Sequence, residues 1–131
     1  MLIHEALERH LSQYITAVNS RVYAEIAPPK TPVPYITYAR IGVQYHHQFG
    51  KDSGFNDSHF QIDVYAATAK EAQEISVIMR KALIDFSGVM GGDSGVNIGA
   101  VILENESDGF ESDTRFFRVT HEYIITFFEG V

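Results

Sequence analysis

The stretch from Ser58 to Phe86 admits few arrangements, and the rest of the chain has to fit around it. Phe60, Ile62 and Val64 alternate with Gln61, Asp63 and Tyr65, which places the first three on one face of a strand. A helix begins at Thr68. Thr68 and Glu71 have the T-x-x-E spacing of a capping box, in which hydroxyl and carboxylate each satisfy an otherwise unpaired backbone N–H. Ala72, Ile75, Met79, Ala82, Leu83 and Phe86 then recur at spacings of three and four, giving one apolar stripe. Lys70, Gln73, Glu74, Arg80 and Lys81 lie largely off it. A strand apolar on one face that runs at once into such a helix is a two-layer unit, and it needs more sheet to be complete.

The flanking chain supplies that sheet. Leu2–Val18 reads as a first helix with Leu7, Leu11, Tyr14, Ile15 and Val18 inward, stopping at Asn19-Ser20. Arg21–Ile26 is a short strand. Ala27–Pro34 holds all four prolines and predicts an extended crossing loop, because proline fixes φ and lacks a donor. Tyr35–Val43, rich in β-branched and aromatic residues, is a strand. Gln44–Asp57 is either a mobile loop or the far ends of a long hairpin joining Tyr35–Val43 to Ser58–Ala66.

Past the second helix, Ser87–Gly95 contains four glycines and reads as a linker with little reason to be rigid. Asn97–Glu104 is a strand, Asn105–Asp113 an acidic turn region, and Thr114–Glu129 a long alternating strand. On that last strand Phe117, Val119, Tyr123, Ile125 and Phe127 share a face, while Phe116, Ile124 and Phe128 occupy the other. A strand apolar on both faces is usually covered on both sides. The helices would cover one side and a second subunit the other. The order α-β-β-β-α-β-β predicts an α+β fold: a mainly antiparallel sheet with two helices packed on one face.

At 131 residues the chain reads as a single domain, 1–131, able to bury about two-thirds of its unfolded surface without staples. It has no cysteine, which excludes disulfides and thiolate chemistry. It has no apolar run long enough to span a membrane and no basic-then-apolar start, so a cytoplasmic product is expected. The net charge of −7 and scattered basic residues argue against a tight grip on nucleic acid.

Signs of catalysis are scarce. No phosphate-loop, nucleophile-elbow or zinc-helix motif occurs. Gly88, Gly91, Gly92 and Gly95 resemble a phosphate cradle in composition only, because no helix follows them. His46 and His47 with His59 across the presumed hairpin are the best metal candidates. Adjacent strand side chains point to opposite faces, however, so a wet polar loop is the better reading. His121 reads as a satisfied sheet histidine, and His4 and His10 as lying on or beside a surface helix. The carboxylates Glu104, Glu106, Asp108, Glu111 and Asp113 read as a solvated turn, not an acid–base pair. No cofactor is expected. The exposed-looking aromatics are more telling: Tyr45, Phe49, Phe55, Phe116 and Phe128, with Met90 in the glycine-rich segment, are candidate self-assembly or partner contacts.

The order of motifs Arg21-Val22-Tyr23, Pro34-Tyr35-Ile36-Thr37-Tyr38, Gln61-Ile62-Asp63-Val64-Tyr65, and Glu71-Ala72 through Ala82-Leu83 is similar to that of the small tail-completion proteins of long-tailed phages, also called tail terminators or tail-to-head joining proteins. The resemblance covers Leu2–Phe86 well and the closing hairpin loosely. It implies a non-catalytic virion protein, made in the host cytoplasm, that forms a six-membered ring capping the tail tube. Its implied partners are further copies of itself, the tail tube protein and a head-completion or connector protein, with DNA passing through without tight binding and no membrane involved. The alternative is a small dimeric α+β ligand-binding or enzyme domain with a pocket between helices and sheet.

Overall fold

The computed structural model describes residues 1–48 and 51–129. Its elements are α1 (Ile3–Tyr14), a 3-10 turn at Thr16–Val18, β1 (Val22–Ala24), β2 (Tyr35–Gln48), β3 (Lys51–Ala66), α2 (Ala69–Leu83), β4 (Gly88–Met90), β5 (Val96–Glu111) and β6 (Phe116–Phe128). The strands form one six-stranded sheet in the order β1-β2-β3-β6-β5-β4. Every neighbouring pair is antiparallel except β1–β2. Both helices pack on one face, so the α+β expectation holds, with one strand more than the sequence pattern showed.

The sheet is built around β3 and β6, which pair without interruption from Phe55–Phe128 to Ala66–Phe117. Phe60, Ile62 and Val64 point to the helices, opposite Tyr123, His121 and Val119. They meet Leu7, Leu11 and Ile15 from the first helical segment and Ile75, Met79 and Leu83 from α2 in one core. The Thr68 hydroxyl accepts the Glu71 N–H at 3.1 Å, starting α2 where the T-x-x-E spacing placed it. Phe86 is not part of that helix. It lies beyond the helix end and turns back, half-buried, against the His10 ring at 4.9 Å.

Three expectations are corrected and one open alternative is decided. The first helix ends at Tyr14, which is exposed, and the chain then tightens into the 3-10 turn before Asn19 and Ser20 adopt positive φ. Within Gln44–Asp57, the described parts Gln44–Gln48 and Lys51–Asp57 are the far ends of the β2–β3 hairpin, as one of the two alternatives had it. The glycine-rich segment is pinned: Met90 is fully buried, and Arg9 Nη1 donates to Gly91 O at 3.1 Å. Gly91 has φ +95°, and a Cβ there would sit 2.8 Å from Met1 Sδ and 2.9 Å from Ala6 Cα, so α1 packs against bare backbone. Finally, the acidic region Asn105–Glu111 continues β5 instead of turning, each residue paired with β6.

Candidate assembly surface

The face of the sheet away from the helices is open. It runs in rows across β2, β3, β6 and β5: Tyr35–Tyr65–Arg118–Gly109 at one end, then Thr37–Asp63–Thr120–Ser107, Ala39–Gln61–Glu122–Asn105, Gly42–His59–Ile124–Ile102 and Gln44–Asp57–Thr126–Ala100. Phe55, Phe128 and Asn97 close the other end. The aromatic side chains therefore gather at the two ends. Tyr35 and Tyr65 stack at 4.8 Å, and Phe116 meets Tyr35 edge-on at 6.3 Å. Between this trio, Pro28, Pro29 and Glu111 lies a cavity of about 540 Å³. Burial, with help from Asp63 and Glu111, pushes the Tyr65 hydroxyl up to about 12, so it stays a neutral phenol. At the far end Phe55 and Phe128 pack at 5.0 Å.

The middle rows hold polar groups that satisfy one another. Thr120 donates to Asp63, and Thr126 donates to Asp57. Burial works to raise the Asp57 carboxyl, but the Thr126 hydrogen bond and His46, 3.1 Å away, bring it below the usual carboxylate range. His59 Nδ1 lies 3.6 Å from Glu104 Oε1. The histidines thus face separate carboxylates, and among the described residues no three His, Asp or Glu are grouped to hold a metal ion.

The aromatic candidates divide. Phe55 and Phe128 come together, 42% and 37% exposed, and Phe116 lies at the opposite end of the same face. Tyr45 is exposed but sits on the helix-side face, opposite Asn56, on the arm beyond the helices. Met90 is sealed in the core and offers no surface. Phe49 lies outside the described residues. Ile41 and Ile102, 56% and 55% exposed, are surface groups that pattern reading passed over. The signal for Ile102 was the run Val101-Ile102-Leu103, which in any strand turns its middle member away from its neighbours.

Two histidines sit deeper than expected or carry more contacts. His10 is buried between the helices. Its Nε2–H donates to Ala82 O at 2.8 Å, and desolvation lowers its pKa despite that bond. A groove of about 440 Å³ lined by His10, Tyr14, Ile78 and Phe86 opens beside it, at the seam of the helices. His121, fully buried, holds Tyr123 Oη at 2.7 Å and lies 2.7 Å from Glu106 Oε1, which Arg80 reaches at 3.5 Å. Desolvation lowers the His121 pKa, with Glu106 opposing. His121 and Tyr123 are buried and Arg80 and Glu106 lie partly exposed above them, and this chain of contacts ties α2 to β5 and β6.

Several solved structures share the fold, among them these two. A chain from the virion of a native gene transfer agent particle superposes with a TM-score of 0.71 at 14% identity, covering 96% of this chain and 97% of that one. A second chain, whose name carries no functional description, has a TM-score of 0.57 at 14% identity, covering 98% and 94%. No curated protein matches by sequence. Residues 5–127 match the family described as "Tail completion protein gp17", nearly the whole described chain, and the protein belongs to that family.

Proposed function

We propose that this chain, acting as one domain over 1–131, completes a phage or prophage tail by forming a ring of six copies. The ring caps the tail tube and joins it to the head connector. Membership of the tail completion family makes it a structural tail protein. The observation that favours assembly over a solitary life is the open sheet face, with aromatic groups at both ends and a hydrogen-bonded polar middle. Such a surface offers an apolar anchor at each end of the strands, one toward the tail tube and one toward the connector.

The charge suits a DNA passage: every copy adds −7, which repels phosphate and lets the duplex slide without tight binding. Phe55 and Phe128 are the proposed contacts toward one of these two partners, tail tube or connector, and Phe116 toward the other. No catalytic step is assigned to any residue. Sizing the purified chain with and without tail tubes tests this. A ring, or a monomer that assembles on tube ends, supports it; a dimer indifferent to tubes removes it. Electron microscopy of virion necks containing the chain would show the ring directly.

A further inference from the structure

We infer that copies of this chain join by edge-to-edge strand pairing, the free edge of β5 in one copy against the free edge of β2 in the next. This rests on the ring reading above and names its contact. Both strands are long, and both are almost uncovered at the rim of the sheet. β1 pairs only with Ile36–Tyr38 of β2, and β4 only with Val96–Ile98 of β5. No strand among the described residues pairs with the outer side of Gly42–Tyr45 or of Ala100–Leu103. Exposed rows of backbone donors and acceptors are templates for another strand, and natural sheets normally blunt them.

The geometry favours a head-to-tail match. A register shift lies on either side of Gly42–Tyr45 in β2, between Arg40 and Gly42 and between Tyr45 and His47. The same holds for Ala100–Leu103 in β5, flanked by shifts between Ile98 and Ala100 and between Leu103 and Asn105. These two regular segments stand at the same height on opposite rims: Gly42 shares a row with Ile102, Val43 with Val101, and Gln44 with Ala100. β2 and β5 also run in opposite directions within the sheet. Rotating one copy about an axis along the strands therefore brings β5 beside the next copy's β2 as an antiparallel pair, with no rise, which is the condition for closure into a ring.

Charge identifies the occupant as a second copy. β2 contains Arg40 and no carboxylate, its His46 already facing Asp57, whereas β5 contains Glu104, Glu106, Asp108 and Glu111 and no base. Within the chain Arg80 reaches Glu106, Arg118 reaches Glu111 and His59 lies beside Glu104, and four carboxylates against two arginines leave the β5 rim acidic. Each rim would attract the other and repel its own kind, which selects head-to-tail over head-to-head pairing. Ile41 and Ile102, exposed on these two strands, would be covered by the contact.

The test uses the absence of native cysteine. A Cβ at Gly42 meets nothing within 4 Å, and Ile102 is exposed, so G42C and I102C leave the fold intact, as reduced-state circular dichroism would check. The double variant, treated with a short bis-maleimide under assembling conditions, should run as a ladder of covalent oligomers beyond the dimer. Mixed single variants should stop at dimers, and either single variant alone should give none. Dimers from I102C alone would show β5 meeting β5 and overturn the proposal. Rings seen by microscopy but with no ladder would overturn the edge contact and leave the ring reading standing. No assembly by the unaltered chain, alone or on tail tubes, would overturn both.

Discussion

The two faces of β6 make the most informative contrast in the molecule. On the helix side, Val119, His121, Tyr123, Ile125 and Phe127 are all at or below 2% exposure and sealed by residues of the same chain. On the other side, Phe116, Ile124 and Phe128 remain partly exposed, interleaved with Arg118, Thr120, Glu122 and Thr126. One face is finished at the level of the monomer. The other has its polar groups satisfied and its apolar groups left over, and that division separates what folds the chain from what the chain does.

If the contrast is right, truncations on the two faces should differ in size and in kind. Phe60→Ala removes a fully buried ring and should cost about 3–5 kcal/mol in a urea titration. A loss of under about 1 kcal/mol would mean that the core can collapse around the gap, and the helix-side face would not be the rigid one. The next effect is pH. Desolvation lowers the pKa of His10 and His121 from 6.5, so the unfolded chain takes up protons that the folded chain resists. Stability should therefore be full above about pH 6.5 and fall as pH drops through that value. Urea midpoints from pH 7.5 downward check this, and His10→Asn, which keeps a donor for Ala82 O, should flatten part of the slope. Thr68→Ala removes the α2 cap and should cost about 1 kcal/mol without touching assembly. Smallest for stability is Ile102→Ser on the open face, within about 0.5 kcal/mol, yet it should weaken ring formation measured by light scattering. Equal stability losses at Phe60 and Ile102 would dissolve the distinction between the faces.

The sequence pattern made the helix-side half of this fold legible because burial leaves a period. Phe60-x-Ile62-x-Val64 and the stripe on α2 each face one environment, so alternation and helical spacing show through. The family resemblance carried the stretch Leu2–Phe86, and the family match runs from residue 5 to residue 127. What stayed hidden lies where burial leaves no period. In β5 the residues Asn105–Glu111 are mostly exposed, so an edge strand there is written in the same polar alphabet as a turn. β4 is three residues long, and Met90 is buried because Gly91 lets α1 approach, which is a tertiary fact. His10 looked superficial because its burial depends on α2 and Phe86 arriving from over 70 residues away. The open face was half legible: Phe116 and Phe128 gave it away, whereas Tyr45 fell on the other face because the register shift between Arg40 and Gly42 reverses the alternation of β2.

The position of β6 has a consequence for how the protein is made. It is the last described strand in sequence and yet lies in the middle of the sheet, between β3 and β5. A nascent chain still lacking residues 116–128 would hold β2–β3 and β4–β5 as separate hairpins with no seam to join them. The two rims are brought to matching height only once that final strand slots in. Translation order would thus hold back self-recognition until residues 116–128 have been made.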